Sequence, residues 1–205
     1  MNFIRLPNYY EPIKKIDLRE DKKATIVIRI LSAVAVAVML VLGGVLYGEN
    51  ALKSLLLTEK SSELYNLIGR VLLIIFFCFL YIQLREGINI LLMKLFCKKA
   101  RIKMNFRLFF TDATSTAFYN RRTYIFISIV PFLIFALLLA VIVSLVPFEW
   151  FWTVYIVQIV NFASAVGDMA VLFILLRMPK DILIRDSGTE IEVFGLRKSY
   201  NDFKR

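Results

Sequence analysis

Five ionisable residues fall within or at the edges of the apolar runs of this sequence. Arg29 and Arg70 can extend their charges to the membrane interface, whereas the other three are of the types that form ion pairs or bind ligands. Arg85 and Glu86 stand side by side in QLREGINILLMKLF (83–96), and Asp168 stands in NFASAVGDMAVLF (161–173). Apolar residues continue on both sides of each site. An ionised side chain near the centre of a bilayer costs about 2.5 to 3.5 kcal/mol on insertion scales, so such residues usually face the protein interior and pair.

The depths of the two sites can be compared by counting residues. Arg85 lies 20 residues past Tyr65, and Asp168 lies 18 residues past Trp150. At a helical rise of about 1.5 Å per residue these separations are about 30 and 27 Å, so the two sites are nearly level if both helices begin at the same face. We therefore predict an ion pair between Arg85 and Asp168, with Glu86 as a candidate third member.

The spacing around Arg85 matches a known metal-binding arrangement. Arg85 and Asn89 are four residues apart and share one helix face, which Glu86 flanks. In the H-E-x-x-H arrangement of metalloproteases, two histidines at this spacing hold zinc and the glutamate is the general base for the bound water. The letters here are R-E-G-I-N, which keep the glutamate and replace both imidazoles.

Four apolar segments must position these side chains. The chain has 205 residues, 59% of them hydrophobic, with a mean hydropathy of +0.69, which is typical of a polytopic membrane protein. Four stretches are long enough to cross a bilayer as helices: 24–47, 65–84 with a continuation to 96, 123–146 and 150–176. We expect helices because backbone polar groups in lipid must bond within their own segment, and the alternation of barrel strands is absent.

Charge and composition exclude several classes of protein. The net charge of +10 comes from residues between the apolar runs, so it indicates loops against anionic lipid and argues against nucleic-acid binding. Histidine is absent, which removes the commonest metal ligand. Cys78 and Cys97 are too few for a disulfide framework or a cysteine metal site.

Lysine and arginine counts predict the orientation. Residues 1–23 hold six, residues 97–122 seven and residues 177–205 seven, whereas the other two connections hold only Lys53 and Lys60. Both termini should therefore be cytoplasmic, in a multi-pass protein of the plasma membrane. An aromatic group at the outer start of the fourth span is typical of an interfacial belt: Phe148, Trp150, Phe151, Trp152 and Tyr155.

The polar ends of the chain are short. Residues 1–23 contain Pro7 and Pro12 and predict an interfacial or irregular cytoplasmic lead, with room for one short amphipathic turn. The tail 177–205 alternates apolar and polar residues on both sides of an Asp-Ser-Gly-Thr turn, which predicts a β-hairpin packed on the membrane domain, 24–176. The predicted fold is an all-α integral membrane protein with four transmembrane helices and a small cytoplasmic C-terminal hairpin.

Several blocks of the sequence resemble a known family. The R-E-G-I-N helix is followed by KKARIKMNF (98–106), NRRTYIFISIVPFLIF (120–135) and NFASAVGDMAVLFILLRMPKDILIRDSGTEIEVF (161–194). Together these blocks resemble a family of small bacterial membrane proteins of unknown function described as "putative zincin peptidases", similar in plan to site-2-type intramembrane proteases. The resemblance covers about residues 65 to 195. It implies that Arg85 and Asn89 replace two histidine ligands, that Glu86 takes the place of the base, and that Asp168 takes the place of the third ligand.

The departure from the motif predicts the function. A guanidinium cannot ligate a cation and stays protonated, and catalytic zinc needs three good ligands and an open position. We therefore expect a pseudo-enzyme with no catalytic residue, no metal and no other cofactor, in which Arg85 supplies the lost positive charge within a polar cluster. We expect it to bind or regulate another membrane protein or a hydrophobic peptide. The alternatives are an active intramembrane metallopeptidase with an atypical metal site and a small ion-coupled transporter built around Asp168.

Overall fold

The computed structural model describes residues 2–17, 22–56, 61–107, 110–188 and 190–196. Side chains at 47–64, 66 and 103–113 lie outside this description. The described ranges contain four helices and six strands, in the order β1 (Tyr10–Ile16), α1 (Lys22–Leu56), α2 (Ser61–Phe96), β2 (Ile102–Arg107), β3 (Phe110–Ser115), β4 (Tyr119–Asn120), α3 (Arg121–Leu145), α4 (Phe151–Leu176), β5 (Leu183–Asp186) and β6 (Ile191–Leu196). A single 3-10 turn, Phe148–Trp150, precedes α4.

The four helices are each long and apolar enough to cross a membrane, which confirms the prediction of four such segments. α2 runs without interruption from Ser61 to Phe96, so the Arg85-Glu86 pair lies inside a continuous helix. α1 continues past the predicted end of the first segment to Leu56. α3 begins where the side chain of Asn120 accepts a hydrogen bond from the backbone N–H of Thr123, at 2.7 Å.

The β structure exceeds the single hairpin that the sequence predicted. β5 and β6 form that hairpin, with Gly188 at a φ of 79° in its turn; Thr189 lies outside the described residues. The prediction of an irregular N-terminal lead was wrong, because β1 pairs antiparallel with β6 from Tyr10 to Ile16. The register shifts after Pro12, where a residue without an N–H is tolerated at an edge strand. The complete sheet has the order β1-β6-β5-β4.

The connection between α2 and α3 is also more ordered than a basic loop. β2 and β3 form a second antiparallel hairpin, from the Ile102–Ser115 pair to the Arg107–Phe110 pair. Its first strand, IKMNFR, alternates apolar and polar residues, and this period of two is the signal that the loop prediction overlooked. The loop prediction relied on the lysine and arginine residues of this connection, which are typical of a solvated loop.

The sheet and the helices share one buried core. Side chains from the ends of α2, α3 and α4 pack against those of β4, β5 and β6: Met93, Tyr119, Tyr124, Ile127, Val171, Leu172, Leu175, Ile184 and Val193. A two-stranded hairpin alone is marginally stable in water, so this core and the flanking strands hold it in place. We call the end of the bundle that carries the strands the sheet end.

The aromatic group before and within α4 is only partly an exposed belt. Phe148 and Trp150 are exposed, at 43% and 39%. Phe151, Trp152 and Tyr155 are buried, so the belt prediction was wrong for these three. They pack against α1, and the Tyr155 hydroxyl donates a hydrogen bond to the carbonyl of Met39 at 2.7 Å. Helical spacing turns them inward, which a count of aromatic residues does not reveal.

Candidate functional site

Arg85 and Asp168 form an ion pair between α2 and α4. The Arg85 Nη2 atom donates to Asp168 Oδ2, and the structure thereby brings together the two charges that the sequence predicted to pair. The Arg85 side chain is 14% exposed and that of Asp168 39% exposed. The guanidinium is therefore enclosed, whereas the carboxylate keeps an open side. Apolar residues continue along both helices on either side of the pair, and low-dielectric surroundings strengthen the attraction between opposite charges.

Glu86 and Asn89 lie beside this pair. The Asn89 side chain donates to Glu86 Oε1 at 3.4 Å, so Glu86 bonds to its own helix and, within the described residues, forms no salt bridge with Arg85. The expected third member of the ion pair is thus a neighbour and not a direct partner. Two buried atoms of the cluster, Arg85 Nε and Asn89 Oδ1, have no hydrogen-bond partner in the described part of the chain.

The sheet adds a carboxylate that the sequence did not assign to the site. Asp186, at the end of β5, accepts a hydrogen bond from the Tyr124 hydroxyl at 2.9 Å and another from the N–H of Gly188 at 2.8 Å. Glu86 is within electrostatic range of both Asp168 and Asp186. Because Asp186 belongs to an Asp-Ser-Gly turn, the sequence indicated a turn residue, and only the packing of the sheet on the helix ends brings it here.

A second polar group continues from the ion pair along the same helix faces. Tyr81 lies four residues before Arg85, and Asn161 lies seven before Asp168. The Tyr81 hydroxyl donates to Asn161 Oδ1 at 2.8 Å and is 3.3 Å from the hydroxyl of Ser164. Both spacings put these residues on the faces of α2 and α4 that carry the ion pair, a signal present in the sequence. The group fastens α2 to α4 next to the charges.

At the sheet end, Tyr119 is fully buried between α2 and the strands. Its hydroxyl contacts that of Ser115 at 2.9 Å and the carbonyl of Met93 at 3.3 Å. Burial raises the pKa of Tyr119 to about 12. The phenol therefore stays protonated at neutral pH and joins the helix to the sheet.

Burial also raises the pKa of Tyr10, and the neighbouring Tyr9 and Asp181 add to the rise.

The donor set does not fit zinc. Catalytic zinc takes three protein ligands, usually with imidazole or thiolate among them. In the described ranges no group of three or more histidine, cysteine, aspartate or glutamate side chains is close enough to hold a metal ion, and the whole sequence contains no histidine. The permanently charged guanidinium of Arg85 is also paired with Asp168, the carboxylate that the family resemblance assigns to the metal.

Comparison with known proteins places the chain in a family. The family described as "Putative zincin peptidase" matches residues 78–183, just over half of the chain, and the matched range contains Arg85, Glu86, Asn89 and Asp168. No curated protein and no solved structure gives a significant match. The match begins at residue 78, midway along α2, and extends through β2 to β4, α3 and α4 to the first residue of β5, so it includes the parts of α2 and α4 that carry the polar cluster. The chain therefore belongs to the family described as putative zincin peptidases.

Proposed function

We propose that this protein is a non-catalytic, metal-free member of its family that binds or regulates another membrane protein or a hydrophobic peptide. The observation that carries the proposal is the Arg85–Asp168 ion pair. By resemblance, these two positions would hold a histidine ligand and the carboxylate ligand of a zincin. A fixed guanidinium takes the place of the cation and satisfies the carboxylate, so the bundle stays assembled without a metal.

The chemistry of the remaining groups supports loss of catalysis. A zincin glutamate acts on a water molecule that the metal has activated. Glu86 lies in a cluster whose cation is a guanidinium, and a guanidinium neither ligates water as a Lewis acid nor gives up a proton near neutral pH. Glu86 therefore has no metal-activated water molecule from which to accept a proton.

The geometry supports binding of a peptide. Asp168 keeps 39% of its side chain exposed on α4, beside the exposed apolar residues Met169 and Phe173. Among the residues that the structure describes, Arg85 Nε is a donor without a partner and Asn89 Oδ1 is an acceptor without one, and a buried polar atom that lacks a partner destabilises a fold. A peptide backbone that enters between α2 and α4 offers the carbonyl and the N–H that these atoms lack.

Crosslinking from native membranes tests the proposal. A photoreactive residue at Met169, next to Asp168, should capture a membrane protein or peptide in the wild-type background and lose it with Asp168→Ala. The same photoreactive residue at Leu137, 70% exposed on α3, is the matched control for general lipid-facing contacts. Equal capture at both positions, or capture that persists with Asp168→Ala, would contradict a binding site at the polar cluster.

Zinc content tests the metal-free state. Detergent-purified protein should contain far less than one zinc per chain after dialysis. About one equivalent that survives dialysis and is lost with Asp168→Ala would refute the proposal. It would instead favour an active metallopeptidase, in which Glu86→Gln abolishes cleavage.

A further inference from the structure

A cavity of about 630 Å³ opens at the sheet end, where α3 begins and α4 has ended. Its polar lining includes Arg121 and Arg122 in the first turn of α3, and Lys180 and Asp181 between α4 and β5. Three cations thus face one carboxylate, which leaves the cavity with an excess of positive charge. The volume is that of a site for a small molecule, about 300 to 1,000 Å³.

One of the cations is held in position by the backbone. The Arg121 Nη1 atom donates to the carbonyl of Met178 at 2.7 Å, which fixes the guanidinium at the cavity wall. A guanidinium has five N–H donors, so this bond leaves donors for a ligand. Arg122 and Lys180 are exposed and extend the positive charge to the opening of the cavity.

Another part of the lining is apolar and belongs to the helices. Ile125 lies one turn into α3 and Leu176 is the last residue of α4, where it is 53% exposed. Both helices are long and apolar enough to cross a membrane, so their ends lie at the level of lipid headgroups. Phe3 and Tyr10 of the N-terminal segment also line the cavity.

We propose that this cavity binds the headgroup of an anionic phospholipid. The phosphate contacts Arg122 and Lys180 beside the fixed Arg121, and the acyl chains follow Ile125 and Leu176 along the outside of α3 and α4. A free phosphate ion offers the same charge, but it makes no use of the apolar wall. The site is separate from the polar cluster, and the proposal does not depend on the absence of catalysis.

Native mass spectrometry of the full chain in neutral detergent tests the site. The protein is titrated with phosphatidylglycerol, with phosphatidylcholine and with inorganic phosphate. The test variant is Arg122→Gln/Lys180→Gln, both exposed residues of the cavity. The matched control is Lys98→Gln/Lys99→Gln, which removes the same charge from exposed residues outside the cavity.

Phosphatidylglycerol should bind the wild type more tightly than phosphatidylcholine. A basic residue near an anionic lipid surface contributes about 1 kcal/mol to binding. The affinity of the protein for phosphatidylglycerol should therefore fall about fivefold for each cation removed, or about 25-fold in the test variant. The control should bind like the wild type, and Asp181→Asn should bind more tightly.

Three results would overturn the proposal. Equal losses in the test and control variants would mean diffuse surface charge, and equal binding of both lipids would mean no selection of an anion. Binding of inorganic phosphate as tight as that of the lipid would make the ligand a soluble anion.

Discussion

Arg85 and Asp168 are 83 residues apart in the chain, yet their side chains form an ion pair that joins α2 to α4. Breaking a buried pair by removing one charge costs about 3 to 5 kcal/mol, because the other charge stays behind without a partner. Since Asp168 is 39% exposed, we expect the low end of that range.

Charge reversal tests this pair. Arg85→Asp and Asp168→Arg should each lower the free energy of unfolding by more than about 3 kcal/mol, because each removes the pair and also brings two like charges together. The double variant should recover most of the loss, because it restores two opposite charges. Unfolding in mixed detergent, followed by circular dichroism, measures the effect. A double variant that is no more stable than the two single ones would show that the pair does not join the helices.

Restoring the two imidazoles should create a metal site. Arg85→His/Asn89→His converts the motif to H-E-G-I-H, and with Asp168 it supplies three protein ligands of the kind that zinc prefers. We expect about one zinc per chain, measured by atomic emission after dialysis, and its loss when Asp168→Ala is added. If the double variant binds no zinc, Arg85, Asn89 and Asp168 do not occupy ligand positions.

The Tyr124–Asp186 hydrogen bond should hold the sheet on the helices. Tyr124→Phe removes a bond to a carboxylate, which contributes about 1.5 to 3 kcal/mol. Hydrogen exchange of the β5 and β6 amides should therefore become faster. Tyr9→Phe, at a residue 58% exposed, is the control and should leave exchange unchanged. Similar exchange in both variants would mean that the apolar core alone holds the sheet.

Tyr119 should make the stability of the folded protein depend on pH in the alkaline range. Its folded-state pKa of about 12 lies above the ordinary value near 10, so between these values the folded protein keeps a proton that the unfolded chain has lost. Stability should therefore be full below pH 10 and fall as the pH rises towards 12, by about 2 to 3 kcal/mol at 1.36 kcal/mol per pKa unit. Tyr119→Phe should remove this part of the pH dependence. Thermal unfolding at a series of alkaline pH values measures the effect. Equal losses of stability in the wild type and in Tyr119→Phe would contradict the assignment to Tyr119.

Two adjacent glycines of α1 should respond oppositely to alanine. A Cβ at Gly43 would lie 2.5 Å from Tyr155 Cε1 and 3.1 Å from Trp152 Cη2, whereas one at Gly44 would meet nothing within 4 Å. Gly43→Ala should cost about 1 to 3 kcal/mol through overpacking against α4. Gly44→Ala should stabilise by about 0.5 to 1 kcal/mol, because alanine is the better helix former. Thermal unfolding in detergent compares the two, and equal effects would contradict the close contact at Gly43.

Local sequence patterns were sufficient for the four apolar helices and the C-terminal hairpin. Helix length and apolar runs predicted the first, and alternation around an Asp-Ser-Gly turn predicted the second. The opposite charges of Arg85 and Asp168 at matching depth predicted their contact, since an isolated charge among apolar residues is costly. The missing imidazoles in R-E-G-I-N follow from the letters alone.

Only the tertiary structure decided how distant segments combine. The lead became β1 because the free edge of β6 offered it backbone partners, and nothing within residues 1–23 indicates that edge. Asp186 is within electrostatic range of Glu86 because the sheet packs on the helix ends, and the cavity at Arg121 exists because three separate segments meet there. Pairing between strands and between helices depends on contacts across the whole chain, whereas apolar periodicity and charge are properties of each segment by itself.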